Sequence, residues 1–303
     1  MRRSLLVVLA MATPMAALAQ KTTARADGET LEGSAAGGGV AVFRGVPFAA
    51  PPVGDLRWRP PVQRPAGSGV RATKEFSPSC AQTDRLAIWT KSIAAIFGTV
   101  DKVPSEPLVT SEDCLYLNVW TANVGGRTPQ PVMVWIHGGG FVNGGSSPAV
   151  YSGHQFARDG VVLVSINYRL GRYGFFAHPG LKAEGGGGNF GFLDQIAALK
   201  WVQANIGQFG GDPARVTIFG ESAGGMSMHM LLQSPLAKGL FAGAIIESGG
   251  GRDRTLPMPD MTRAAQVGEA LAPGATAAEL RALPESKVTG DLSMFTMGQP
   301  GYS

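Results

Sequence analysis

Apolar runs of strand length alternate with helical segments along most of this 303-residue chain, and that alternation limits the folds open to it. A strand is predicted at residues 115–120, where apolar and polar residues alternate as in a half-buried strand. Four more are predicted at the apolar runs 131–136, 161–167, 215–219 and 242–246. A helix among them has one apolar face, formed by Phe192, Ile196, Leu199, Val202 and Ile206. Continuous apolar runs are typical of strands covered on both faces. The pattern predicts an α/β fold with a mostly parallel central sheet and helices on both faces.

Three further segments have weaker patterns. Residues 28–62 are rich in Gly and Pro and predict a short antiparallel start to the sheet. Residues 84–110 have no strong period and predict a surface excursion, whereas residues 255–303 predict helix and loop.

The first nineteen residues have the three parts of a secretory signal peptide. Arg2 and Arg3 form a positive n-region, residues 5–12 are apolar, and small residues at 17–19 predict cleavage after Ala19. We therefore expect a secreted or periplasmic protein with a signal peptide at 1–19 and, over 20–303, the N-terminal portion of one larger domain.

Composition excludes several classes of partner. Without Arg2 and Arg3 the chain has 24 basic and 22 acidic residues, interspersed, which indicates neither a nucleic-acid nor a membrane surface. No apolar run after the signal peptide is long enough to span a bilayer. No Cys/His cluster has metal-ligand spacing, and the glycine run 185–188 has no phosphate-loop lysine after it, so we expect no cofactor and no metal.

The strongest local motif lies at residues 219–224, Phe-Gly-Glu-Ser-Ala-Gly, between a predicted strand and a predicted helix. This strand–turn–helix context is that of the nucleophile elbow, in which flanking glycines allow a strained turn that exposes a serine. It predicts Ser222 as a nucleophile. Glu221 precedes it and either faces the pocket or is held by local hydrogen bonds.

A second motif, His137-Gly-Gly-Gly-Phe141, follows the predicted strand 131–136. Acyl transfer needs N–H donors, with no side chains in the way, for the oxyanion that forms. The glycine loop and the backbone N–H of Ala223 predict such a hole. His137 is expected to support the loop rather than act as a base, and His154, His178 and His229 are expected at the surface or in the core.

The motifs together make the chain resemble the type-B carboxylesterase and cholinesterase family of α/β-hydrolases. The resemblance covers most of residues 24–250. Its landmarks are residues 43–49, 51–52, 112–120, 137–141, 167–169, 189–195, 201–202, 209–213 and 220–225.

The resemblance implies a role for each matching residue. It implies Ser222 as nucleophile, Gly139, Gly140 and Ala223 as oxyanion donors, and Ser248 as support near the site. It also implies two structural ion pairs, Arg57 with Glu112 and Arg169 with Asp194. Export alone favours a disulfide between Cys80 and Cys114, although two unrelated buried thiols also fit the sequence; the resemblance implies that the two are joined.

The implied function is hydrolysis of a small-molecule carboxylic ester through an acyl-enzyme. The family's last strands, its triad acid and its histidine are expected beyond residue 303, so a truncated, inactive fragment is one alternative. A cholinesterase-like binding module and a smaller lipase or esterase with the same glycine loop are the others. The intact elbow argues against the module, and the absence of a histidine after His229 argues against the small esterase.

Overall fold

In the computed structural model, which describes residues 20–83, 86–99, 108–250 and 260–296, the predicted strands lie side by side in one sheet. The proposed signal peptide, residues 1–19, lies outside these ranges. Within them no helix is both long and apolar enough to cross a membrane.

The strand bounds follow the predicted apolar runs to within a few residues for all five predicted strands. The strands are β1 Thr23–Ala26, β2 Glu29–Glu32, β3 Ser34–Ala35, β4 Ala41–Pro47, β5 Val70–Ala72, β6 Ser79–Cys80, β7 Thr110–Ser111, β8 Tyr116–Thr121, β9 Gln130–Ile136, β10 Val162–Ile166, β11 Gly211–Glu221 and β12 Gly243–Glu247. The helices are α1 Leu86–Ile96, α2 His154–Arg158, α3 Gly171–Gly174, α4 Pro179–Lys182, α5 Phe190–Asn205, α6 Ala223–Gln233, α7 Met261–Leu271, α8 Ala277–Arg281 and α9 Glu285–Thr289.

The main sheet of the described residues has the strand order β12-β11-β9-β10-β8-β4-β3. β12, β11, β9 and β10 are parallel neighbours, whereas β8, β4 and β3 are joined by antiparallel pairings. Five of the seven strands therefore point the same way, and the N-terminal part is antiparallel as predicted. The carboxyl ends of β9, β11 and β12 meet at one edge, where ligands bind in open α/β sheets.

Helices cover both faces of the sheet, because the side chains that the strands direct to each face are apolar. On one face Val134, Val164 and Ile218 pack against Leu199 of α5 and Met228 of α6. On the other face Trp135, Leu163 and Phe219 pack with Ala157 of α2. A third cluster joins Trp58 to Leu280 of α8 and Val288 of α9, so the helical segment after residue 260 is seated on the N-terminal half.

One helix differs from the sequence prediction. α1 lies within residues 84–110, where a surface excursion without strong period is predicted. Its Ile88 and Ile96 are 57% and 75% exposed, so its apolar residues do not mark a single buried face. The periodic signal of a packed amphipathic helix is therefore weak in the sequence.

Candidate active site

Ser222 sits in a strained turn between the last residue of β11 and the first residue of α6. Its φ of 55° and ψ of −119° are rare for a residue with a side chain. Two backbone hydrogen bonds hold it there: its N–H donates to Glu247 O at 2.8 Å, and its carbonyl accepts from Met226 N–H at 2.8 Å. The half-buried serine is thus fixed by β12 on one side and by α6 on the other.

The glycines around Ser222 let this turn lie against the end of β9. A Cβ on Gly220 would be 2.6 Å from Ile136 O, and one on Gly224 would be 2.0 Å from the same oxygen. Gly225 meets Gly249 equally closely, since a Cβ on Gly249 would be 2.3 Å from Gly225 C. Only glycine fits these positions without backbone movement, as the elbow motif predicts.

The glycine loop after β9 runs beside the turn. A Cβ on Gly138 would be 3.2 Å from Ser222 Cβ and 2.6 Å from Glu221 O. Gly139, Gly140 and Phe141 have φ values of 108°, 62° and 60°, and the N–H groups of Val142 and Asn143 close the loop on Gly139 O at 3.1 and 3.0 Å. The structure therefore brings together two motifs that lie far apart in the sequence.

His137 is buried beneath this loop. Its Nδ1 lies 2.8 Å from Gly138 O and so donates to it, and its ring stacks on Tyr168 at 4.5 Å between centroids. Tyr168 Oη in turn donates to His137 O at 2.8 Å. Burial lowers the pKa of His137 to about 4, so the ring is neutral at pH 7. This supporting place agrees with the role predicted for His137.

Two carboxylates flank Ser222 at the ends of neighbouring strands. Glu221 of β11 and Glu247 of β12 are paired in register, and a Cβ on Gly138 would be 2.8 Å from Glu221 Oε2. Burial, and then the charge of Glu247, raise the pKa of Glu221. Ser248 follows with a φ of 50° and is exposed at the end of β12. The site is therefore bordered by negative charge.

Each of the other three histidines has a ring nitrogen within hydrogen-bond distance of a backbone carbonyl. His229 Nε2 lies 3.3 Å from Gly249 O, and His154 Nε2 lies 3.3 Å from Gly37 O. His178 is buried against α7, with its Nε2 3.0 Å from Ala272 O. In the part of the chain that the structure describes, no group of three or more His, Cys, Asp or Glu could hold a metal ion.

Known proteins are similar to this chain in sequence and in fold. A profile of the Carboxylesterase family matches residues 17–280. The chain belongs to the carboxylesterase family.

Its relatives include bacterial and mammalian esterases. The chain is 48% identical to a fumonisin B1 esterase of Sphingopyxis macrogoltabida over 70% of its length, and 51% identical to liver carboxylesterase 1 of Oryctolagus cuniculus over 69%. These matches span 37% and 36% of the two relatives, so the chain covers little more than a third of their length. The crystal structure of the carboxylesterase EST55 of Geobacillus stearothermophilus superposes with a TM-score of 0.74 at 37% identity, over 89% of this chain and 52% of that one. The similarity confirms the α/β-hydrolase fold.

The disulfide and the ion pairs implied by the family resemblance are all present. Cys80 and Cys114 are bonded, with their Cα atoms 4.9 Å apart. Arg57 Nε donates to Glu112 Oε2 at 2.8 Å, and the second bond of this pair joins Nη2 to Oε1. The buried pair is bidentate too, with Arg169 Nε and Nη2 at 2.8 and 2.7 Å from the carboxylate oxygens of Asp194. Bidentate pairing gives each arginine two charge-assisted hydrogen bonds to its carboxylate.

Sequence reasoning missed two polar side chains, Gln82 and Asn143, that connect the glycine loop to the residues around it. Gln82, two residues after Cys80, binds Gly144 at the far end of the loop. Asn143 is fully buried, donates to Thr83 O at 3.2 Å and accepts from Met294 N–H at 3.2 Å. Their only sequence signal is that Gln82 follows a cysteine and Asn143 follows the glycine run. Neither position identifies a partner without the fold.

Proposed function

We propose that the protein is a serine-dependent carboxylic ester hydrolase that acts on small-molecule esters through an acyl-enzyme. The observation that carries this proposal is the juxtaposition of Ser222, strained at positive φ, with the glycine loop at Gly138. A strained serine at the carboxyl ends of parallel strands, next to a loop of backbone N–H groups, has the arrangement that acyl transfer requires.

The proposed reaction begins with attack of Ser222 Oγ on the ester carbonyl carbon. As the C–O bond forms, the electron pair of the carbonyl π bond moves to its oxygen. The N–H groups of Gly139, Gly140 and Ala223 are proposed to donate to that oxyanion. Ala223 is the first residue of α6, where backbone N–H groups have no acceptor within the helix. The intermediate then collapses, and the departing alkoxide takes up the proton lost by Ser222 and leaves as the alcohol. Water attacks the acyl-serine in the same way, which releases the carboxylic acid and restores Ser222.

A general base must remove the proton of Ser222, because a protonated hydroxyl is a weak nucleophile. We propose that this base is none of His137, His154, His178 and His229. His137 gives its Nδ1 proton to Gly138 O and resists protonation. His154, His178 and His229 have Nε2 within hydrogen-bond distance of the backbone carbonyls of Gly37, Ala272 and Gly249, respectively. We propose that a further histidine completes the site in the catalytically competent protein.

The hydrogen bonds of these four histidines favour a second candidate function. In that candidate the described residues bind an ester, or react once with an activated one, without turnover. In both candidate functions, the carboxylates of Glu221 and Glu247 are proposed to line the pocket beside Ser222. We further propose export to the cell exterior or periplasm, because residues 1–19 have the pattern of a secretory signal peptide and the Cys80–Cys114 disulfide fits an oxidising compartment.

The two candidates are separated by hydrolysis of a p-nitrophenyl ester. The protein is expressed from its complete gene, and Ser222→Ala is compared with Ser234→Ala at the opposite end of α6. The hydrolase proposal predicts multiple turnovers that Ser222→Ala abolishes and Ser234→Ala keeps. A single burst of p-nitrophenol, equal to the protein concentration, favours the second candidate. Turnover that survives Ser222→Ala contradicts both.

A further inference from the structure

Gln82 occupies a place between the disulfide and the glycine loop that no motif assigns. Its carboxamide faces the backbone of Gly144 and binds it twice: Oε1 accepts from Gly144 N–H at 2.8 Å, and Nε2 donates to Gly144 O at 2.6 Å. The second Nε2 proton goes to Cys80 O at 2.9 Å, and Oε1 also accepts from Asn143 Nδ2 at 3.4 Å. The side chain is buried, and both Nε2 protons are used.

Gly144 is the point at which the loop returns to the body of the protein. It has a φ of 122°, and a Cβ there would be 2.4 Å from His137 Nδ1. The next residue, Gly145, lies against β6, since its Cβ would be 2.1 Å from Ser79 Oγ. The returning segment of the loop is therefore held between His137 and the residues that flank Cys80.

The loop has two ends, and they are fixed by different parts of the fold. The sheet fixes the first end, because Ile136 is the last residue of β9 and Gly138 touches the elbow. Gly139 and Gly140 lie between that end and Gly144, in a turn closed by Val142 and Asn143 N–H on Gly139 O. A shift of Gly144 would move this turn relative to Ser222.

We infer that Gln82 is a positioning residue for the oxyanion loop: its carboxamide fixes Gly144, and through it the N–H groups of Gly139 and Gly140. The Cys80–Cys114 disulfide fixes the backbone on which Gln82 is carried. The inference rests on the proposed function, because it assigns those N–H groups to the transition state. Gln82 Oε1 and Nε2 bind Cys80, Asn143 and Gly144, so any effect of Gln82 on the reaction passes through the loop.

Substitution of Gln82 by methionine tests the inference, because methionine keeps the length of the side chain and removes the hydrogen bonds of the carboxamide. Donors that act on the transition state alter kcat more than KM, and a displacement of about 1 Å costs up to about 100-fold. We expect Gln82→Met to lower kcat for a p-nitrophenyl ester by about 10- to 100-fold, with KM within about threefold of wild type.

The matched control is Gln203→Met. Gln203 also donates to two backbone carbonyls, Pro213 O at 2.8 Å and Leu240 O at 2.9 Å, but it lies on α5 away from the loop. We expect its kcat to stay within about twofold of wild type. A comparable loss of kcat in both variants, or none in Gln82→Met, would overturn the inference.

Hydrogen–deuterium exchange gives a readout that does not depend on turnover. Loss of the Gln82 acceptor should speed exchange in peptides covering residues 138–146 in Gln82→Met, while peptides of α5 keep the wild-type rate. Unchanged exchange in the loop peptides contradicts the inference, whatever the activity. If turnover survives Ser222→Ala, the proposed function fails, and the exchange result still decides whether Gln82 holds the loop.

If Gln82→Met does not fold, Gln82→Glu takes its place in the same two measurements. The carboxylate keeps an acceptor for Gly144 N–H but loses both donors and faces the carbonyls of Gly144 and Cys80. We expect it to lower kcat and speed loop exchange as well. Wild-type values in a folded Gln82→Glu would contradict the inference.

Discussion

At the scale of single residues, Ser222 combines the proposed reactivity with conformational strain. Its positive φ costs a residue with a Cβ about 1–3 kcal/mol, whereas glycine adopts it freely. The surrounding hydrogen bonds to Glu247 and Met226 hold the serine in place against this cost. Strain of this kind is common where a side chain is presented for chemistry.

The strained φ of Ser222 predicts that glycine at this position gives a more stable protein than alanine. We expect Ser222→Gly to be more stable than Ser222→Ala by about 1 kcal/mol, because glycine relieves the positive φ and alanine does not. Urea unfolding measures the difference. At Ser234, whose φ of −77° is ordinary, we expect Ser234→Ala to be more stable than Ser234→Gly. If the alanine variant were the more stable one at Ser222 as well as at Ser234, the backbone strain at Ser222 would be contradicted.

His137 predicts a pH dependence of stability. Its pKa falls from 6.5 in the unfolded chain to about 4 in the fold because of burial. Between these values the unfolded state binds a proton that the native state does not, so stability is lost as pH falls through this window. The stability linked to neutral His137 is fully present above about pH 6.5. By about pH 4.5 the free energy of unfolding is lower by about 2–3 kcal/mol.

The variant that checks this is His137→Asn, whose amide can still donate to Gly138 O. Urea unfolding is measured at about pH 7.5 and about pH 4.5 for both proteins. We expect the loss of stability on acidification to be smaller in the variant by about 2 kcal/mol. An equal loss in both proteins would show that His137 does not titrate in this window.

At the scale of elements, the close packing of α6 and β9 depends on Gly224. An added Cβ would meet the backbone oxygen of Ile136 at 2.0 Å, and no flexible side chain can yield there. We expect Gly224→Ala to destabilise the fold by more than about 3 kcal/mol or to prevent folding. Gly207→Ala is the control, because a Cβ there would meet nothing within 4 Å, and it should change the unfolding midpoint little.

The disulfide joins two short elements, β6 and the segment before β8. Its closed loop spans 34 residues in sequence separation, which in the chain-entropy description stabilises the fold by about 3–4 kcal/mol. We expect Cys80→Ala with Cys114→Ala to lose about that much in urea unfolding. A loss below about 1 kcal/mol would show that the loop is restrained by other contacts.

The elements that the sequence predicts best are those with local signals. The β11 strand, the Ser222 turn and α6 follow from a short run of residue types, because strand, glycine turn and helix are neighbours along the chain. The five apolar strands were predictable for the same reason. The antiparallel pairing of β8 with β10 and the seat of α8 on Trp58 depend on long-range contacts. Gln82 and Asn143 were not predicted because the fold brings their hydrogen-bond partners from distant parts of the chain.

At the scale of the whole molecule, the site lies near one edge of the described sheet. β12 is the edge strand of the described sheet, and its Ile245 and Ile246 are 44% and 39% exposed. An exposed apolar edge is prone to pairing with other chains. The chain covers little more than a third of the relatives that it matches, and 52% of EST55. The activity of the whole protein is therefore best tested on the product of the complete gene.

The central claim is that Ser222 is the nucleophile, and covalent labelling tests it most directly. The protein is treated with a fluorophosphonate ester, which leaves a phosphonyl group on the attacking serine and releases fluoride, and its peptides are then mapped by mass spectrometry. We predict one label per chain, on Ser222, and none in Ser222→Ala. A label on another serine, or equal labelling of Ser222→Ala, would contradict the account.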